Sequence, residues 1–287
     1  MEYLGYYNGK YGPLEEMTIP MLDRVCYFGD GVYDATYSRN YKIFTLDEHV
    51  DRFFNSAGLL EIPIPHTKEE VKSILLDMVS KMDTGENFVY FQCTRGTGIR
   101  NHIYPDPEKV PANFWITLRQ ADVVPLDTKV KLITLEDTRF LHCNIKTLNL
   151  LPACVANEKA KRAGADEVIF YRLQADGRKR VTECAHSNCH IIKDGVFITA
   201  PTDHLILPGI ARMNLIKACK ALGIPVDETV YYIDDVFTAD EVLISSAGTF
   251  GITATELDGK PVGGKAPEIM AKLHAYLWNQ WLTDTNV

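Results

Sequence analysis

Several short segments of this chain combine residue types that can do chemistry. Lys146 sits in Cys143-Asn-Ile-Lys-Thr-Leu-Asn-Leu-Leu151, with apolar residues on both sides. A lysine drawn out of water loses part of its preference for the charged form, and its amine can then act as nucleophile or general base. The same lysine on the wet face of a half-buried segment would carry no chemistry. Glu183 follows Val181-Thr182 and precedes Cys184, Ala185, His186, Ser187 and Asn188. A carboxylate among such residues can hold a protonated heterocyclic nitrogen, or it can be an exposed turn glutamate. Leu207-Pro-Gly-Ile-Ala-Arg212 leads into the apolar pattern Met213, Leu215, Ile216, Ala218. A glycine at a helix start leaves outward N–H groups at the positive end of the helix dipole, which suits a phosphate. Ser245-Ser-Ala-Gly-Thr249 is a second small-residue turn, behind an apolar strand. Arg95-Gly-Thr-Gly-Ile-Arg100-Asn-His102 places two guanidinium groups and an imidazole on one loop. Arginine grips a carboxylate with two parallel bonds, so this loop can be a carboxylate trap, or simply solvated charge.

Other chemistries find no support. The histidines show no metal spacing; His186 and His190 are four apart, but in a loop and a strand, so no metal is expected. There is no G-x-S-x-G elbow, P-loop or G-x-G-x-x-G pattern. The 7 cysteines are odd in number and lack C-x-x-C spacing, so neither a disulfide framework nor a thiolate zinc site is expected. Reduced cysteines suit the cytoplasm. Met1–Asn8 has no leader pattern, and no apolar run approaches the ~18 residues that span a membrane. Lys and Arg number 30 against 38 Asp and Glu, a formal charge of −8 without basic runs. Such a chain is a poor binder of nucleic acid or anionic membranes, and an anionic ligand must be held by a few local cations.

The elements that must position these groups read as α+β, in two domains, residues 1–120 and 121–287. Asn8-Gly9 marks a hairpin, Val32–Tyr37 a strand, and Arg39-Asn40 a turn into Tyr41–Phe44. Thr45–Glu48 and Thr67–Glu70 have the form of capping boxes for two helices. Strands fit Phe88–Thr94 and Phe114–Leu118. After a Pro125-containing break come strands at Val130–Leu135, Glu167–Tyr171, His190–Lys193, Val196–Thr199 and Glu241–Ile244. Helices fit Pro152–Ala163, Ala211–Leu222 and Ala266–Trp281, the last with Ile269, Leu273, Tyr276, Leu277 and Trp281 on one stripe. A smaller N-terminal α/β domain and a larger β-rich domain with helices on one side are expected.

Taken together, the pieces resemble the fold-type-IV pyridoxal-phosphate enzymes of the class IV aminotransferase family, and within it the D-amino-acid branch. The resemblance runs nearly end to end. It is carried by Phe28-Gly-Asp-Gly-Val-Tyr33, Glu48-His-Val-Asp-Arg52, Tyr90-Phe-Gln-Cys-Thr-Arg-Gly-Thr97 with Arg100 and His102, and Glu136-Asp-Thr-Arg139. It continues in Ile145-Lys-Thr-Leu-Asn-Leu-Leu151, Thr182-Glu183 with Ser187-Asn188, and Leu207–Arg212. The pattern Arg-Gly-Thr-x-x-Arg-x-His is the part that points to D-amino acids.

The resemblance implies pyridoxal 5'-phosphate as cofactor and transamination between a D-amino acid such as D-alanine and a 2-oxo acid such as 2-oxoglutarate. Lys146 would form the Schiff base and move the proton between Cα and C4′. Glu183 would bond the pyridine nitrogen. Arg52 would neutralise the phosphate, helped by backbone N–H near Ile210, Ala211, Gly248 and Thr249. Tyr33, Arg100 and His102 would grip the substrate α-carboxylate. A homodimer would complete a site lying between domains, with Arg100 and His102 supplied by the neighbouring subunit. A branched-chain L-amino-acid aminotransferase and an aminodeoxychorismate lyase are the alternatives; Arg100 and His102 argue against both. A fold member that only binds is disfavoured by Lys146 and Glu183. The sequence departs from the family pattern at Cys184-Ala-His186, at Ala211 and in the Ala-Gly-Thr249 turn, which bear on secondary phosphate contacts and side-chain selectivity.

Overall fold

The structure, a computed structural model, describes residues 2–286. The chain divides into two units. The first holds the described residues up to Val123, together with Ile145–Asn149 and the stretch from Trp281 on. The second holds Val124–Asn144 and Leu150–Gln280. A single cut after residue 120 therefore does not describe the chain. The Lys146 segment rejoins the first unit because its backbone is bonded there: Tyr33 N donates to Lys146 O at 3.0 Å, and Leu148 N to Gly31 O at 3.1 Å.

In the first unit, Asn8 and Gly9 take φ of 45° and 90°, the twist of a tight hairpin, between β1 (Tyr3–Tyr7) and β2 (Lys10–Pro13). Then follow α1 (Val25–Phe28), β3 (Gly31–Arg39), β4 (Lys42–Ile43), α2 (Leu46–Leu59), α3 (Lys68–Ser80), β5 (Asn87–Thr94) and β6 (Asn113–Gln120). They form a six-stranded antiparallel sheet in the order β2-β1-β6-β5-β3-β4. Because side chains alternate along a strand, Val32, Phe91, Phe114 and Ile116 share one face, and they pack with Phe53 of α2 and Leu75 of α3. Tyr33, Gln92 and Trp115, opposite one another in register, take the other face.

Thr67 and Glu70 make the expected capping box: Glu70 N donates to Thr67 Oγ1, and Thr67 N to Glu70 Oε2. Thr45 does not. It lies in the left-handed region at φ 47° and caps nothing with its side chain. Asn40 and Tyr41 also have positive φ, so the reversal through β4 fixes the backbone of Thr45 away from the extended geometry an N-cap needs.

The second unit contains β7 (Lys129–Glu136), α4 (Leu151–Arg162), β8 (Glu167–Leu173), β9 (Lys179–Cys184), β10 (Asn188–Lys193), β11 (Val196–Thr199), α5 (Ile210–Ala221), β12 (Val226–Asp227), α6 (Ile233–Thr238), β13 (Glu241–Ser245), β14 (Ile252–Leu257), β15 (Lys260–Pro261) and α7 (Pro267–Asp284). Beyond residue 280, α7 belongs to the first unit. The nine strands form a mixed sheet in the order β12-β11-β10-β13-β14-β7-β8-β9, with β15 on β14. Its core centres on Ile169, Val181, Ile191, Val242 and Ile244. Strand β9, which carries Glu183, is not foreseen as a strand; it exists through pairing with β8. The buried stripe of α7 is Met270, Leu273, Leu277 and Trp281, while Tyr276 is exposed. Among the described residues, no helix is long and apolar enough to cross a membrane.

Candidate active site

In the first unit, Lys146 is half-buried, with Nζ 4.3 Å from the Tyr33 ring centroid. No acidic side chain pairs with this ammonium among the described residues. Its backbone is fixed through Lys146 N donating to Ser56 Oγ at 3.2 Å. Tyr33 stacks on Tyr90 at 5.3 Å, and the Tyr90 hydroxyl donates to Gln92 Oε1 at 2.6 Å. On this same sheet face, Gln92 Nε2 and Trp115 Nε1 are buried N–H donors without a protein acceptor. Leaving such a donor unmet costs about 1–3 kcal/mol, so the face is suited to an incoming acceptor.

Arg52 on α2 is aimed by Asp34. Its Nε and Nη2 fork onto the two Asp34 oxygens at 2.8 and 2.7 Å, and His49 Nδ1 meets Asp34 at 2.7 Å. Burial by itself would raise the Asp34 pKa. The Arg52 and His49 charges and hydrogen bonds outweigh it and hold the carboxyl well below the usual carboxylate range.

Arg100 and His102 sit together on an exposed loop, each 5.2 Å from the Phe28 ring centroid. Among the described residues, no hydrogen bond, ion pair or ring contact joins them to Tyr33.

In the second unit, Glu183 is buried on β9, not exposed in a turn. Arg139 Nη1 donates to Oε1 at 2.5 Å, while Asn188 Nδ2 and Leu207 N donate to Oε2 at 2.9 and 3.0 Å. These donors come from separate segments and prevent the carboxylate from rotating. The Asn188 amide also donates to Leu207 O at 3.0 Å, which joins Glu183 to the start of α5. There Gly209 is required by space: a Cβ would lie 2.0 Å from Asn188 Oδ1. No side chain caps α5, so the amides of Ile210 and Ala211, which have no intrahelical acceptor, are open to an anion.

In the turn after β13, Thr249 N donates to Ser246 O at 3.2 Å and the Thr249 hydroxyl accepts from Ser246 N at 2.9 Å. Gly248 is buried, and its carbonyl accepts from Val124 N at 2.8 Å. The structure thus brings together Lys146 with Tyr33, Arg100 with His102, and Glu183 with Leu207, three residues before Ile210.

Residues 31–257 match the family model described as amino-transferase class IV. The chain belongs to the class IV aminotransferases. Similar to it is the D-alanine aminotransferase of Listeria monocytogenes serotype 4b (strain F2365), 41% identical over 91% of this chain and 90% of that one. The D-alanine aminotransferase of Staphylococcus aureus (strain MSSA476) is 36% identical over 93% and 94%. Among solved structures, a T.th. branched-chain amino acid aminotransferase complexed with N-(5'-phosphopyridoxyl)-L-glutamate has a TM-score of 0.85 at 25% identity, covering 98% of this chain and 94% of that one. The branched-chain aminotransferase of Escherichia coli reaches 0.86 at 21% identity over 99% and 96%, a likeness of fold. The fold of this aminotransferase is fold type IV.

Two features of this class IV aminotransferase escape a residue-by-residue reading of its sequence. Arg139 stands out there only as part of a family motif. In the structure it bridges two carboxylates, with Nε and Nη2 on Asp137 at 3.0 and 2.8 Å and Nη1 on Glu183. The second is His190, fully buried, with Nδ1 2.8 Å from Thr199 Oγ1 and Nε2 2.8 Å from Ser245 Oγ. Arg212 Nε donates to the same Thr199 oxygen at 3.1 Å. Burial, then the nearby Arg212 charge, push the His190 pKa down to about 3.

The unfolded chain therefore binds a proton at this histidine between its ordinary pKa of about 6.5 and about 3, where the folded chain does not. Folding stability should fall with falling pH across that window, by about 1.4 kcal/mol per pH unit from this group. Urea unfolding at pH 4–7 should show a slope shallower by that amount in His190→Gln. Equal slopes would mean that the imidazole is protonated in the fold.

Proposed function

We propose that this aminotransferase uses pyridoxal 5'-phosphate to move an amino group between a D-amino acid, such as D-alanine, and a 2-oxo acid, such as 2-oxoglutarate. The observation that carries the substrate class is the 36–41% identity to D-alanine aminotransferases over nine-tenths of the chains. Arg100 and His102 on one loop support it. The residues present fit the cofactor. An amine without an acid partner, a carboxylate fixed by three donors and uncapped helix amides are what a carbonyl carbon, a basic ring nitrogen and a phosphate require.

When bound, pyridoxal phosphate supplies a carbonyl carbon for the amino group and a ring that takes up carbanion charge. Lys146 Nζ would hold that carbon and would move the proton at substrate Cα. Glu183 would keep a proton at the pyridine nitrogen. Arg52 and the amides at Ile210, Ala211, Gly248 and Thr249 would bind the phosphate, the last on giving up its 3.2 Å bond to Ser246 O. Tyr33, Arg100 and His102 take the α-carboxylate. The chain acts in the cytoplasm as a homodimer, whose second subunit brings Arg100 and His102 to Tyr33. The exposed Met21, Leu22, Ile99 and Ile103 beside that loop support an apolar contact there.

The deciding assay supplies D-alanine or L-alanine with 2-oxoglutarate and reads pyruvate. Turnover should require the D-enantiomer. Equal use of L-alanine, or equal use of L-leucine read as glutamate formation, would replace this reading with the branched-chain one, which the structural neighbours favour. Arg100→Ala should raise KM for D-alanine about 10–100-fold, because a bidentate charged contact is worth about 1.5–3 kcal/mol. The 2-oxo acid should suffer alike, and cofactor absorbance should not change. Arg100→Lys should restore only part, since a point charge lacks the fork.

A further inference from the structure

The loop that carries Arg100 and His102 is held in place by another arginine. Arg24 precedes α1, and its side chain is 5% exposed. Its Nε donates to Asp30 Oδ2 at 2.7 Å, and its Nη1 donates to the Asn101 carbonyl at 2.6 Å. Its guanidinium carbon stands 4.8 Å from the Phe28 ring centroid. Asn101 is the residue between Arg100 and His102. The Phe28 ring is the one that both of their side chains meet at 5.2 Å. One buried guanidinium therefore touches the peptide that joins the pair and the aromatic surface against which both side chains lie.

The surroundings make Arg24 rigid. Asp30 also accepts Arg95 Nε at 3.0 Å on each oxygen. The Arg95 guanidinium carbon lies 3.4 Å from the Tyr104 ring centroid, so the loop is pinned near its two ends as well as at Asn101. Backbone bonds tie the same segments: Arg24 N donates to Gly96 O and Gly98 N to Leu22 O, both at 3.0 Å. Two guanidinium groups share the single Asp30 carboxylate, which leaves this cluster with a formal charge of +1 beside the loop. An exposed arginine without such support would have to be ordered each time a carboxylate bound, at a cost to affinity.

We propose that Arg24 is a positioning residue for the carboxylate grip: it sets the spacing of Arg100 and His102 through the Asn101 carbonyl and the Phe28 ring. This rests on reading Arg100 and His102 as the ligands of the substrate carboxylate. Lysine in place of Arg24 keeps the charge, but it cannot serve Asp30 and Asn101 with one planar fork or keep a guanidinium against the Phe28 ring.

The test measures initial rates of the Arg24→Lys holoenzyme with D-alanine and 2-oxoglutarate. KM should rise about tenfold for both substrates, the scale for one charge-assisted bond. The kcat should stay within about twofold, and the visible cofactor band should match wild type. In an Arg100→Ala/His102→Ala background, Arg24→Lys should change KM by no more than about twofold, because residues that act through one another are not additive. Phe28→Leu removes the ring without removing charge; it should reproduce the KM pattern and serves in place of Arg24→Lys if that variant does not accumulate. The proposal is overturned by native KM values in both variants, by a KM rise that persists in the double-variant background, or by loss of kcat and cofactor in place of KM. An unchanged KM in Arg100→Ala alone would instead overturn the carboxylate-grip reading beneath it.

Discussion

Lys146→Ala will abolish transamination, and borohydride treatment will no longer fix the cofactor to the chain. The reason lies in where the amine sits. Its ammonium stands over the Tyr33 ring, 4.3 Å from the centroid, and no acidic side chain pairs with it among the described residues. An amine locked in an ion pair would be a poor nucleophile; this one is held by its backbone and leaves Nζ available. In the proposed function two tasks would fall on the same nitrogen, binding the cofactor's carbonyl carbon and carrying a proton at Cα, so its loss would remove both. General acid–base transfer contributes about 100- to 10,000-fold, and the covalent role adds to that. The measurement is turnover of D-alanine with 2-oxoglutarate, together with intact mass after reduction. Wild type should gain the mass of the reduced cofactor, and Lys146→Ala should not. Near-native turnover in the variant would move the catalytic amine elsewhere.

Glu183→Gln should keep the cofactor and lower turnover at least about 100-fold, the scale for removing one preorganised electrostatic partner. Gln has nearly the shape of Glu but no charge. Glu183 is buried, so its charge acts through a poorly screened medium, and Arg139, Asn188 and Leu207 hold both of its oxygens still. In the proposed function its loss would leave little to keep a proton on the pyridine nitrogen. The Gln variant also leaves Arg139 facing a neutral amide, although Arg139 keeps its bonds to Asp137 at 3.0 and 2.8 Å. The fold should therefore survive. Cofactor content by absorbance and turnover by pyruvate release separate the outcomes: bound cofactor with native turnover would assign the ring nitrogen to another residue.

The sequence by itself determined the local features. The Asn8-Gly9 hairpin, the Thr67–Glu70 capping box and the small-residue start of α5 each depend on neighbours within a few positions. Those neighbours are sufficient to fix their backbone. The types of the candidate site residues, and the family they resemble, were legible for the same reason: a motif is local order.

Only the tertiary structure decided which charges are buried and what meets them. Asp34 lies in the segment that reads as a strand, and it sits on the covered face because Arg52 and His49, 18 and 15 positions away, arrive from α2 to pair with it. Glu183 reads equally well as a turn residue. It becomes a buried strand residue through β8 pairing, and its partners lie 44 positions back at Arg139 and 24 forward at Leu207. Thr45 shows the converse, a correct capping pattern defeated by a reversal that forces φ to 47°. The physical reason is common to all three. Burying a charge or closing a turn is stable or unstable according to groups distant in the chain, and a carboxylate that would be costly alone is held once a guanidinium fork reaches it.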